Sequence, residues 1–195
     1  MSWQIPVKTK HMEEQSSHLP SMNYAKDIHK VASAFISSYE LENIKALEIG
    51  AAWGFSTLAI LEARVKSLMS VDPNTAAEGH NEAVANGYEN NHTWNCVRSD
   101  KFWKENPDTK YDLIYVDGSH LYDDVYNDLY EAWKHLNTPG LLMIDDWEHK
   151  KNIKADPTNG FAEYGVSLAC FEFWRDHHSE IMDVDINGRV LWFKK

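Results

Sequence analysis

Ala46-Leu-Glu-Ile-Gly-Ala-Ala-Trp-Gly-Phe-Ser-Thr-Leu-Ala-Ile-Leu61 runs from an apolar segment through a short glycine-bounded loop into a helical pattern that starts at Ser56. Strand, tight turn and helix in that order form the opening unit of a doubly wound α/β fold. Gly50 and Gly54 carry no Cβ, so the chain can turn sharply and its backbone can approach a ligand closely. The first turn of the following helix leaves N–H groups free for electronegative atoms. Such a turn also occurs in α/β folds without any ligand, so the functional reading depends on the downstream sequence. The dinucleotide pattern G-x-G-x-x-G is missing, because Ala52 stands where its second glycine would fall, and this opposes an NAD-dependent oxidoreductase.

Outward from this loop, the chain alternates strands with helices. Ala25, Ile28, Val31, Ala32 and Phe35 fall at helical spacing between Met22 and Tyr39. Lys45–Gly50 reads as the first strand, Ser56–Arg64 as a helix and Val65–Val71 as a second strand ending at Asp72-Pro73. A polar helix near Ala76–Ala85 leads to a third strand near Thr93–Val97, and Tyr111–Val116 makes a fourth. Val125, Leu129, Ala132, Trp133 and Leu136 line one face of a helix over Tyr122–Leu136, which Asn137-Thr-Pro-Gly140 should terminate. Leu141–Ile144 gives a fifth strand, Lys150–Gly160 a loop, and Val166–Trp174 a helix. Strands near Ile181–Ile186 and Arg189–Phe193 close around an Asn187-Gly188 turn. The pattern predicts a Rossmann-like, doubly wound, mostly parallel seven-stranded sheet with a C-terminal antiparallel hairpin.

The 195 residues, 43% hydrophobic and 25% charged, suit a single domain over 1–195. Within it, 1–40 forms an N-terminal arm and helix, 41–150 the ligand-binding core, and 151–195 a loop, helix and closing hairpin. A net charge of −11 argues against a nucleic-acid partner. There is no apolar run of membrane-spanning length and no signal-like N-terminus, so a cytoplasmic protein without a membrane partner is expected. Cys96 and Cys170, far apart and outside any C-x-x-C, read as two reduced, buried thiols. No H-x-x-x-H or H-E-x-x-H spacing points to a histidine-based zinc site.

Ligands of open α/β sheets bind beyond the carboxyl ends of the strands. Almost every strand here delivers a carboxylate there: Glu48, Asp72, Asp100, Asp117 and the pair Asp145-Asp146. Any one of them could be a cap or turn former, but five strand ends doing so together point to a site. An acidic Glu48 suits a cationic, hydroxyl-rich ligand such as S-adenosylmethionine better than a pyrophosphate. Asp72 is placed to accept from ribose hydroxyls, and Ser99 with Asp100 can edge an adenine. Asp117, Asp145 and Asp146 would repel one another unless a hard divalent cation with oxygen ligands relieved them. His120, three residues after Asp117, is a candidate general base, with His149 a weaker alternative. Trp53, Tyr122 and Trp147 could wall a flat acceptor.

Glu48-Ile-Gly-Ala-Ala-Trp-Gly-Phe-Ser56, Val71-Asp-Pro73, Tyr115-Val-Asp-Gly-Ser-His-Leu-Tyr122 and Leu142-Met-Ile-Asp-Asp-Trp147 resemble the class I S-adenosylmethionine-dependent methyltransferases. Residues 40–150 are most similar to the small-molecule O-methyltransferase branch that holds the catechol and macrocin-type enzymes. The resemblance implies that Glu48, Gly50, Ala51, Gly54 and Ser56 hold the methionine part of the cofactor and Asp72 its ribose. It implies that Ser99 and Asp100 flank the adenine, with Asp117 also at the cofactor. It assigns magnesium, or another divalent cation, to Asp117, Asp145 and Asp146, and puts His120 where the catechol enzyme has its lysine base. Asp146 in place of that enzyme's asparagine favours the macrocin-type pattern.

The expected function is therefore metal-assisted O-methylation of a small hydroxylated acceptor, with a homo-oligomer possible. The alternatives are a metal-independent methyltransferase of the same fold acting on another atom, and a catalytically silent binding protein that keeps the fold.

Overall fold

The computed structural model describes Gln4, Pro6 and residues 22–39, 41–147 and 165–195. Its strands are β1 (Lys45–Ile49), β2 (Ser67–Val71), β3 (His92–Asn95), β4 (Tyr111–Val116), β5 (Leu136–Ile144), β6 (Asp183–Asn187) and β7 (Val190–Lys194). The helices are α1 (Met22–Ser38), α2 (Phe55–Glu62), α3 (Glu78–Ala85), α4 (Ser99–Glu105), α5 (Tyr122–His135) and α6 (Val166–His177). The strands form one sheet in the order β3-β2-β1-β4-β5-β7-β6. Strands β1 to β5 pair in parallel, and β7 runs antiparallel to both β5 and β6. This is the Rossmann-like sheet that the sequence predicts, with the order reversing at β1 and β4, where such folds open a ligand crevice.

Side chains alternate across a strand, and that parity divides the core. Ala46, Leu113, Tyr115, Leu141 and Met143 face one layer, built from α1, α2 and α3. Leu47, Ile49, Ile114, Val116, Leu142 and Ile144 face the other, where α4, α5 and α6 pack through Phe102, Leu129, Trp133 and Phe173. With both faces covered, the central strands are mostly apolar, with the buried Glu48 of β1 as an exception. Among the described residues no helix is long and apolar enough to cross a membrane.

Three local expectations are corrected. Asn137-Thr-Pro-Gly140 does not separate α5 from β5: the strand already begins at Leu136, which pairs with Tyr111 before the register shifts to Leu113↔Leu141. Gly140 exchanges backbone hydrogen bonds with Lys195, so the turn-forming residues make an irregularity inside the sheet. The helix α4 has no counterpart in the sequence reading. At seven residues it is too short to show a period, and Phe102 and Trp103 are its buried anchors. Cys170 is buried as expected, whereas Cys96 is exposed, and both thiols are free.

Candidate functional site

The loop after β1 is shaped by two glycines. Gly50 has φ +83°, and a Cβ there would lie 2.1 Å from the Asp117 carbonyl oxygen. Only glycine lets the ends of β1 and β4 come this close. Gly54, at φ +91°, caps α2 against Gly79, where a Cβ would stand 2.8 Å from that residue's Cα. Asp72, at the end of β2, holds the loop in place. Its Oδ2 accepts from the N–H groups of Ala51 and Ala52, each at 3.0 Å, and its Oδ1 accepts from Asn74 N–H at 2.8 Å. Oδ2 is thus committed to the protein, and Oδ1 keeps one lone pair for a ligand.

Beside this loop lies a cleft of about 260 Å³ lined by Gly50, Ala52, Asp72, Ser99 and Asp117. Arg98 and Asp124 line it as well, paired at 3.3 Å, and neither was anticipated. Ser99 donates to the buried Asp128 at 3.1 Å, which also accepts from Trp103 Nε1 at 2.9 Å. Burial pushes Asp128 up to about 6, against the pull of these two donors. Asp100 turns to solvent, where it pairs with Arg98 and Lys104, and it does not line the cleft.

Glu48 also lies away from the cleft wall. Strand parity turns it toward α2, it is 0% exposed, and its Oε2 accepts from Thr57 Oγ1 at 2.8 Å and Ser70 Oγ at 2.5 Å. Desolvation pushes its carboxyl up to about 7, although the Ser56, Ser70 and Thr57 hydroxyls pull the other way. Ser70 continues the chain to His92 Nε2 at 2.8 Å, and His92 Nδ1 meets His80 Nδ1 at 3.0 Å. Burial and the neighbouring His80 push His92 down to about 4. Ala51, Gly54 and Ser56 are buried beneath the loop rather than in the cleft.

At the ends of β4 and β5, two of the three anticipated carboxylates, Asp117 and Asp146, come together with His120, while Asp145 is not part of that group. Asp117, His120 and Asp146 each bring one ligand atom within 4.8 Å of the others. His120 Nε2 stands 3.1 Å from Asp146 Oδ2 and 3.8 Å from Asp117 Oδ1. Hydrogen bonds to Asp117 and Asp146 outweigh burial and raise its pKa to about 9, so the ring is held as the imidazolium here. Tyr115 donates to Asp117 Oδ2 at 3.3 Å, and desolvation raises the Asp117 carboxyl. Asp145, 4% exposed, rises to about 7 through desolvation first and Asp117 second. Its Oδ1 is buried and has no hydrogen-bond partner.

Arg189 is a further residue that the sequence reading missed. Its Nη2 lies 3.2 Å from Asp145 Oδ2 and also pairs with Asp146 Oδ1, and its guanidinium sits 5.4 Å from the centre of the Tyr24 ring. A signal existed. Once β7 is antiparallel to β5 with Leu191 opposite Ile144, a residue two before Leu191 must face one two after Ile144. Of the aromatic candidates, Trp147 borders an apolar cavity of about 630 Å³ with Phe171, Trp174 and Phe193. Tyr122 donates to Glu172 of α6, and Trp53 packs against the α1–α2 layer. His149 and the Lys150–Gly160 loop lie outside the described residues.

A family model described as a methyltransferase domain matches residues 47–147. Among curated proteins, none matches the sequence. An O-methyltransferase from Bacillus cereus, solved with S-adenosylhomocysteine, superposes with a TM-score of 0.68 at 12% identity over 98% of this chain and 93% of its own. A Streptococcus mutans protein, provisionally assigned to the S-adenosylmethionine-dependent methyltransferases, gives 0.64 at 12% identity over 89% of this chain and 48% of its own. The MycE methyltransferase of mycinamycin biosynthesis, solved with Mg, S-adenosylhomocysteine and mycinamycin VI, gives 0.58 at 17% identity over 83% and 48%. The chain thus spans about half the length of the last two. At these identities the likeness establishes the fold alone.

Proposed function

The chain belongs to the methyltransferase-domain family, and from that premise we propose that it is an S-adenosylmethionine-dependent, divalent-metal-assisted O-methyltransferase of a small hydroxylated acceptor in the cytoplasm. One observation carries the reading. Asp117 lines the cleft beside the Gly50 loop and is also a member of the Asp117–His120–Asp146 cluster. A methyl donor in the cleft and an acceptor oxygen at the cluster would therefore be neighbours, which is what an in-line transfer requires.

The residues fit both groups. Gly50 and Asp72 both line the cleft, and Asp72 keeps a lone pair for a ribose hydroxyl. At the cluster, the convergent oxygens of Asp117 and Asp146 suit a hard cation, and the neighbouring Asp145 keeps a buried Oδ1 without a hydrogen-bond partner. The cofactor supplies an electrophilic methyl group on a sulfonium, and the cation supplies orientation and acidification of the acceptor hydroxyl. The protein's share is to hold these groups in line and to accept a proton at His120. His120 can do so only once Asp117 and Asp146 are engaged elsewhere, because together they now keep the ring protonated. MycE, with magnesium among its bound groups, has the same fold and is consistent with this reading. The charge of −11 supports an acceptor other than nucleic acid, and the two free cysteines suit a reducing compartment.

Titration with S-adenosylhomocysteine, followed by turnover assays on hydroxylated acceptors with and without exhaustive chelation, tests the proposal. Binding together with chelator-sensitive turnover is expected, and no binding by the wild type would remove the reading. A second reading, a metal-independent methyltransferase, is favoured by Arg189, which already neutralises part of the carboxylate cluster. Turnover that survives chelation would select it.

A further inference from the structure

Arg189 holds its two aspartates in an unusual way. Arginine commonly grips one carboxylate with two nitrogens in a fork. Here the single atom Nη2 serves both Asp145 Oδ2 and Asp146 Oδ1. Each aspartate therefore gives one oxygen to the guanidinium and keeps the other. The oxygens kept are Asp145 Oδ1, which is buried without a partner, and Asp146 Oδ2, which faces His120 and Asp117. We propose that Arg189 is a positioning residue for the cation site: it ties back one oxygen of Asp145 and one of Asp146, so that the second carboxylate keeps its other oxygen beside His120 and converges with Asp117.

The backbone around Arg189 is built to hold that pose. Lys30 Nζ donates to Asn187 Oδ1 and Asn187 Nδ2 donates to Asp27 Oδ1, both at 2.9 Å, so the β6–β7 turn is fastened to α1. The Gly188 site is closed by Asp27, whose Oδ2 would lie 1.9 Å from a Cβ. Antiparallel pairing of Leu191 with Ile144 sets the height of the side chain along β5. Tyr24 then lies against the guanidinium. Asp146 has the greater need of such a tether, because it sits at φ +56° just past the end of the strand.

The inference rests on the metal-assisted reading, and the test separates the two. Removing the positive charge of Arg189 would by itself strengthen cation binding, whereas removing its grip would weaken it, so the sign of the change is decisive. Mn²⁺ binding to the metal-free protein is measured by electron paramagnetic resonance for the wild type, Arg189→Met and Arg189→Lys. Loss of an outer residue that orients ligands costs about 10–100-fold in metal affinity, and a loss of that order is expected for Arg189→Met. The Lys ammonium of Arg189→Lys, able to bridge two oxygens, should restore part of it. Unchanged or tighter binding by a folded Arg189→Met overturns the positioning role and leaves the metal-assisted reading standing. Absence of Mn²⁺ binding from the wild type overturns both. S-adenosylhomocysteine affinity, measured on the same samples, reports on the cleft separately and should stay within about threefold in both variants.

Discussion

His120 and Glu48 are the residues whose surroundings most change their chemistry. His120 is raised from 6.5 to about 9 by Asp117 and Asp146, so its protonated form is stabilised by folding. That contribution is fully present below pH 6.5 and is lost as pH rises through about 9. In the metal-free protein, His120→Ala should cost more stability at pH 6 than at pH 9.5, which urea midpoints at the two values will show. In the loaded enzyme the same substitution should lower kcat by roughly 10²–10⁴-fold with little change in cofactor affinity. Near-wild-type kcat with chemistry rate-limiting would return His120 to a merely structural role.

Glu48 behaves in the opposite sense. Burial raises its pKa from 4.5 to about 7, so the unfolded chain ionises first and wild-type stability falls as pH rises across that window. Glu48→Gln escapes this cost. Its stability relative to wild type should climb between pH 4.5 and 7 by about 3 kcal/mol and then stay level. The nearby His92, held at about 4, titrates in both proteins and cancels from the difference. A pH-independent difference would mean that Glu48 ionises at the same pH in the native protein as in the unfolded chain.

Among the elements, the β1–α2 loop is closely constrained, by Gly50 against the end of β4 and by Asp72 at Ala51 and Ala52. Its Gly50 faces backbone rather than a movable side chain, at a positive φ that an alanine adopts only under strain. Gly50→Ala must therefore push β1 and β4 apart or unwind the loop from Asp72. We expect a loss of at least about 2 kcal/mol in stability and no measurable S-adenosylhomocysteine binding, with the far-UV spectrum retained. Native-like affinity would mean that the loop has another conformation of similar energy. The same loop is the element most readable in the sequence, because an apolar run, Gly50, Gly54 and the helical pattern from Ser56 all carry the same message. The short α4 and the start of β5 were not readable. The helix has fewer than two turns, and Asn137-Thr-Pro-Gly140 has turn composition whether it ends a helix or makes an irregularity in a strand.

For the whole molecule, sequence alone determined the class of fold and the sheet edge that carries the candidate site. Hydrophobic period separates strand from helix, and strands alternating with helices leave little besides a doubly wound sheet. Carboxylates at the strand ends then gather along one edge of the sheet, where Asp72 and Asp117 line the cleft and Asp146 joins Asp117 and His120. Only the tertiary structure decided what each carboxylate is free to do. Asp72 spends Oδ2 on the loop, Glu48 is sealed under α2 by strand parity, and Asp100 turns to solvent beside Lys104. Arg189, 43 residues from Asp146 in the chain, reaches the cluster because β7 returns antiparallel along β5. The reason is physical: a side chain's reach and free lone pairs depend on neighbours brought close by long-range pairing, and local sequence does not encode that distance.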